Sequence, residues 1–191
     1  MSNWLSCFPL SLERIRELRD NSPIRIKNYK NTVKIRNKNH IDKVYKKVSK
    51  DIGLFSKRDL FIAGMFLYWG EGTKTQEAMV TLTNTNPAML KLYIKWLGLF
   101  NVRRKDLKVK LHLYSDMNIN ESVIFWSKEL RIPINQFCKP YIKKSSLKSI
   151  SYKKGFGKGT CSVIFGSKPL WEYIMFGLKY IGEVCNKEPR P

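Results

Sequence analysis

Gly70, Glu71 and Gly72 stand at an abrupt chemical boundary. The ten residues before them, Leu60 to Trp69, carry no charge, and Lys74 follows closely. A carboxylate between two glycines at the end of an apolar run has two chemical uses. It can pair with Lys74, or it can hold a hard divalent cation such as Mg²⁺, for which oxygen ligands are suited. A cation there would bind phosphate oxygens and activate water. The apolar run reads as a helix that ends near Gly70, and a helix apolar on every side must be covered on every side. Ala63 and Gly64 are small enough for another backbone to approach, and Gly in a helix interior costs about 1 kcal/mol against Ala. If the cover is a second copy of the same helix, packed through Ala63, Gly64 and Leu67, two Glu71 carboxylates meet beside a two-fold axis. They repel unless a cation lies between them.

The second chemistry is basic. Lys and Arg number 36 against 15 acids, for a formal charge of +21 in 191 residues. From Leu130 to Trp171 there is no acid, while Arg131, Lys139, Lys143, Lys144, Lys148, Lys153, Lys154, Lys158 and Lys168 crowd the segment. Serines and tyrosines between them supply neutral donors of the kind that contact phosphates. A polyanion is the implied partner, with nucleic acid first and a membrane surface second. Apolar content of 43% and aromatic content of 13% exclude global disorder. The Leu60–Trp69 run is about half the roughly 20 residues that span a bilayer, and Met1 to Leu10 lacks a signal-peptide pattern. A cytoplasmic, nucleoid or organelle-matrix protein, not secreted and with no membrane partner, is expected. Cys7, Cys138, Cys161 and Cys185 are far apart, and His40 and His112 are the only histidines. Neither a zinc site nor a disulfide framework has the spacing it needs, and no small-molecule cofactor is expected.

The elements that position these groups can be read in order. Ser11 caps an N-terminal helix. The basic stretch Arg25 to Lys50 is a helical face, a connector, or an arm that tracks phosphates. Ser56–Asp59 is a capping-box pattern that opens the apolar helix. "EAMVTLTN" reads as a strand, and Asn86 with Pro87 opens the next helix. Leu107–Tyr114 alternates strictly, so it is a half-buried strand with Lys108, Lys110 and His112 on one face. A helix over 120–130, an extended segment broken by Pro140, a strand "GTCSVIFG" and a last helix follow. The sum is an α+β domain.

With these elements placed, "IAGMFLYWGEGTK" resembles the LAGLIDADG helix of homing endonucleases, whose motif ends in Gly-Asp-Gly or Gly-Glu-Gly. "VTLTNTNPAMLKLYIKWL" and "CSVIFGSKPLWEYI" resemble the strand–helix segments that follow it. The sequence departs from the pattern at Trp69, where the family has an acid, and in a long segment from Ser115 to Gly159. The resemblance implies an αββαββα core with an inserted helix and a basic helical N-terminal arm. The expected division is 1–55 arm, 56–182 core and 183–191 tail. A single motif implies a homodimer on double-stranded DNA, with Glu71 as metal ligand for Mg²⁺ and Lys143 or Lys144 as the lysine near the cleaved phosphate. It implies a site-specific endonuclease of homing type. The alternative is a non-catalytic DNA-binding regulator on the same fold; such relatives carry a helix-turn-helix segment that this chain lacks. RNA binding is a third reading. Thr81, Thr83, Lys108, Lys110 and His112 are then the outward residues that face DNA. Lys74, Lys139, Lys143, Lys144, Lys148, Lys153, Lys154 and Lys158 are the expected contacts around them.

Overall fold

The computed structural model describes residues 10–20, 22–145 and 157–186. The chain divides into two units, 1–54 and 55–191. The first holds α1 (Leu12–Asp20) and α2 (Ser22–Ile52). The Ser11 hydroxyl accepts from the Arg14 amide, which caps α1. The basic stretch is one continuous helix of 31 residues rather than a flexible connector. Ten basic residues on α2 face only Asp42 and Asp51.

The second unit opens with α3 (Lys57–Glu71). Its capping box is complete: the Asp59 amide donates to the Ser56 hydroxyl at 3.1 Å, and the Ser56 amide donates to the Asp59 carboxylate at 2.9 Å. Bonds from Ser56 hold the Asp59 carboxyl below its usual value. Then come β1 (Met79–Asn84), α4 (Pro87–Leu97), β2 (Lys108–Tyr114), α5 (Ile119–Leu130), β3 (Tyr141–Lys143), β4 (Thr160–Gly166) and α6 (Lys168–Asn186). The four strands form one sheet in the order β1-β4-β2-β3. β4 runs antiparallel to both neighbours, and β2 and β3 run parallel. The fold is α+β.

Period-two alternation decides the layers. Val80 and Leu82 of β1, Val109 and Leu111 of β2, and Cys161 and Val163 of β4 are all fully buried. The helices bury Tyr68, Tyr93, Trp96 and Trp126 in the same core. Tyr68, Tyr93 and Trp96 pack ring on ring at 5.9–6.5 Å, which adds geometric preference to the area they bury. The Tyr93 hydroxyl donates to the Val80 carbonyl at 2.9 Å, so its polar end is satisfied. Burial pushes the Cys161 thiol well up, in keeping with a small apolar role.

Three expectations need correction. First, α3 does not stop at Gly70. It runs through Gly70 to Glu71, and Gly72 is the cap, its amide donating to the Tyr68 carbonyl at 2.8 Å. Second, Gly64 does not wait for a partner copy. It is buried against Trp96 of α4 in the same chain, and an added Cβ would collide with the indole ring. Third, the element order is αβαβαββα where αββαββα with an inserted helix was expected; the extra helix is present as α5. The strand expected after α3 is reduced to a bridge between Gly72 and Leu82. In addition, α6 runs to Asn186, past residue 182 where the core was expected to end.

The Gly64 contact makes a prediction about stability. Overpacking a filled core costs typically 1–3 kcal/mol. Gly64→Leu is expected to cost roughly 3 kcal/mol, read as a lower urea midpoint. An unchanged midpoint would show that α3 and α4 are not held at this distance.

Candidate nucleic-acid interface

The sheet face opposite the helices carries the polar alternates. β1 contributes Thr81 and Thr83, β4 contributes Thr160, Ser162 and Ile164, β2 contributes Lys108, Lys110, His112 and Tyr114, and β3 contributes Tyr141 and Lys143. Register sets them in rows. Thr83, Ser162 and Lys110 lie across from one another, as do Thr81, Ile164 and Lys108. Thr160, His112 and Tyr141 form the next row, and Tyr114 lies opposite Lys143. The expected outward set of Thr81, Thr83, Lys108, Lys110 and His112 therefore shares one face. No acid belongs to it.

Short bonds lock the middle of this face. Thr83 Oγ1 and Ser162 Oγ lie 2.7 Å apart, and His112 Nε2 is 3.1 Å from the same Ser162 oxygen. The His112 ring packs on Tyr141, with centroids 5.8 Å apart. Lys143 Nζ sits 4.9 Å from the centre of the Tyr114 ring, within cation–π range. The buried Thr81 hydroxyl has no hydrogen-bond partner among the described residues. Burial first, then the charges of Lys110 and Lys143, lower the His112 pKa below its usual 6.5. The imidazole is therefore neutral at pH 7, and the free face is a crowded positive surface.

That depression has a testable sign. Between the lowered value and the ordinary 6.5, the unfolded chain binds more protons than the folded one. Stability from His112 is thus present above pH 6.5 and is lost as pH falls through the lowered value. NMR titration of the His112 ring should give a midpoint below 6.5, and Lys110→Met should raise it. A midpoint at or above 6.5 in the free protein would overturn this account of the face.

Glu71 stands at one edge of the same sheet. The chain leaving α3 is pinned along β1: Thr73 N–H donates to Thr81 O at 2.9 Å, and the Tyr68 hydroxyl donates to Thr73 O at 2.6 Å. The Glu71 side chain is exposed, and Asn84 Nδ2 donates to its Oε2 at 3.4 Å. Lys74 does not pair with it; Lys74 Nζ donates instead to the Gly72 carbonyl at 2.8 Å. The described residues hold no group of three or more His, Cys, Asp or Glu side chains able to enclose a metal. A single exposed carboxylate is nevertheless a donor that fits Mg²⁺, which keeps several waters and is held by one or two carboxylates plus substrate phosphates.

The remaining expected basic residues fall in different places. Lys139 and Lys144 are exposed, next to β3. Lys158 is tied to Glu121 of α5 at 3.3 Å, and its carbonyl accepts from the core indole of Trp126. Lys148, Lys153 and Lys154 lie outside the described residues. Glu71 contacts β1, and Lys143 belongs to β3 at the other edge. Three strand spacings separate those edges, roughly 14 Å. Within one chain Glu71 and Lys143 therefore stand at opposite edges of the sheet.

Of the expected dimer residues, Ala63 and Leu67 are half-buried and Gly64 is buried. The exposed apolar side chains of α3 are Phe66 and Trp69, stacked with centroids 6.0 Å apart. α6 lies beside α3: an added Cβ at Gly177 would meet Met65, and one at Gly182 would meet Trp69. α6 exposes Tyr173, Phe176 and Tyr180. Sequence reasoning missed this aromatic surface, although the spacing 173, 176, 180 is helical. It also missed Thr160 and Ser162 on the sheet face, which alternation within "TCSVIF" could have supplied, while Tyr141, expected as a neutral donor to phosphates, lies on that face beside His112. Asn84, the partner of Glu71, had no sequence signal. No protein-family model matches the chain, and neither a curated protein nor a solved structure is detectably similar to it.

Proposed function

We propose that the chain binds double-stranded DNA with the outer face of its sheet, acts as a homodimer, and hydrolyses phosphodiester bonds with Mg²⁺ held by Glu71 of the two copies. One observation carries the proposal: an acid-free sheet face on which Lys108, Lys110 and Lys143 surround a bonded row of Thr83, Ser162 and His112. Such a face offers charge for phosphates, and the buried Ser162 hydroxyl fixes the partly exposed Thr83 and His112 that can meet base edges. A two-stranded ribbon from it fits the major groove. The resemblance of the α3 sequence to the LAGLIDADG helix supplies the roles of Glu71 and of the second copy.

When bound, Mg²⁺ would supply charge neutralisation at a phosphate and a more acidic water. This chain's part is to hold the carboxylate. The Gly72 cap fixes the end of α3, the bridge to Leu82 fixes the following backbone, and Asn84 orients Oε2. With Gly64 committed to Trp96, the dimer surface moves to Ile62, Ala63, Phe66 and Trp69, with Tyr173, Phe176 and Tyr180 beside them. These aromatic side chains are exposed on two neighbouring helices, and extensive exposed apolar surface marks an interaction site. Sedimentation equilibrium at micromolar concentration should give a dimer, and Phe66→Asp with Phe176→Asp should give a folded monomer. A monomeric wild type would remove the second copy from the reading.

A specific observation also favours the DNA-binding regulator without hydrolysis: the lysines expected to help Glu71 stand at the opposite sheet edge. The two readings share the DNA face and differ in one result. Selection of bound duplexes from a random pool, followed by incubation with Mg²⁺ or with EDTA, tests both. Cleavage only with Mg²⁺ supports the nuclease. Selective binding without cleavage leaves the regulator, and no selective binding rejects both.

A further inference from the structure

On the helical side of the second unit, away from the sheet face, a cavity of about 650 Å³ opens between α4, the segment after it and the end of α5. Five basic residues line it: Lys91, Lys95, Arg104, Lys128 and Arg131. The single acid, Glu129, is already paired with Lys91. The other four cations form no ion pair with a described residue. The charge of helix C-termini accounts for Lys95, Lys128 and Arg131 singly, since cations are favoured in a last turn. It does not account for Arg104, which lies outside any α-helix, or for the convergence of all four on one concavity. Arg131 adds a second oddity. Its backbone is left-handed, at φ 53°, where glycine would be unstrained and an arginine is not. Arg131 caps α5 in this conformation, its amide donating to the Ser127 carbonyl, so a position that favours glycine carries a guanidinium on the wall of the cavity. Ile94 and Val102 give the cavity an apolar part.

We infer that this cavity binds a small anion carrying two or more phosphate groups. Arginines grip phosphate oxygens in pairs, and lysines add point charge. Its volume lies within the range of small-molecule sites, about 300–1,000 Å³. Inorganic pyrophosphate and a nucleoside diphosphate share the chemistry, and Ile94 and Val102 favour the second by covering part of a base or sugar. The sheet lies between this cavity and the proposed DNA face, so the two ligands bind without competing. The inference stands whether or not the sheet binds DNA.

Calorimetric titration of the full chain with pyrophosphate and with ADP, at about 150 mM salt to suppress loose ion clouds, tests it. One saturable site per chain is expected, with ADP the tighter ligand. Lys95→Ala and Arg104→Ala should each weaken it about tenfold or more, in line with the loss of a charge-assisted bond. Lys43→Ala and Lys46→Ala on α2 remove equal charge elsewhere and should leave it unchanged. Uptake of several anions per chain, equal loss in the α2 variants, absence of saturable binding, or displacement of pyrophosphate by duplex DNA would each overturn the inference. Pyrophosphate binding at least as tight as ADP would assign the site to the inorganic anion and remove the apolar contribution.

Discussion

Glu71→Gln should leave DNA bound at least as tightly as in the parent and lower Mg²⁺-dependent cleavage by on the order of 10²–10³-fold or more, the scale of losing one preorganised electrostatic partner of a transition state. The substitution keeps the shape of the side chain and its contact with Asn84. It removes one negative charge per subunit from beside the phosphates, so repulsion in the ground state falls. It also removes the carboxylate that holds the cation, so the charge developing in the transition state loses its counterpart. Opposite signs on binding and on rate are what distinguish a metal ligand from a helix-end surface acid. A surface acid would change both little, because Glu71 makes no ion pair with a described residue. Binding of the variant to a selected duplex and single-turnover cleavage in Mg²⁺ read the two effects separately. Equal cleavage by parent and variant would move the chemistry away from Glu71. Weaker binding by the variant would make Glu71 a structural or base-contacting group instead.

The sequence allowed the sheet face to be read because its signal is local. Alternation in "LKVKLHLY" depends only on period two, so Lys108, Lys110 and His112 could be placed on one side before any strand was paired. Helix starts were legible for the same reason. Ser56 with Asp59, and Asn86 with Pro87, satisfy backbone groups within a few residues of themselves. What the chain hid was long-range. Gly64 is small for Trp96, which lies 32 positions on, and an apolar helix gives no clue to which of its neighbours needs the space. The position of Lys143 relative to Glu71 depends on β4 inserting between β1 and β2, a crossover with no local trace. The end of α3 was misjudged at Gly70 because a lone glycine weakens a helix without ending it. The Tyr68 carbonyl and the Gly72 amide carry the ladder one residue past the glycine.

Binding to DNA should weaken steeply with salt, by about 10⁴-fold between 50 and 200 mM if a dimer neutralises eight phosphates. The estimate counts four cations per chain at the face and its β3 edge: Lys108, Lys110, Lys143 and Lys144. Each neutralised phosphate releases condensed counterions, and the logarithm of affinity falls with the logarithm of salt at about 0.9 per contact. Individual roles then separate by slope. Lys110→Ala should reduce the dimer's slope by about 2, one contact in each copy, with little change in preferred sequence. Thr83→Val should do the reverse, because it breaks the 2.7 Å bond to Ser162 while leaving every charge in place. Without Thr83 the Ser162 hydroxyl and His112 lose their fixed orientation, so base discrimination should relax at the positions His112 faces while the slope holds. α2 supplies a further ten cations outside the sheet. Its removal, as a 51–191 chain, should lower affinity and slope together and leave the selected sequence unchanged. A slope near zero, or one that Lys110→Ala leaves intact, would mean that the outer face does not lie on phosphates. A changed slope in Thr83→Val would mean that the bonded row serves to position the lysines rather than to read bases.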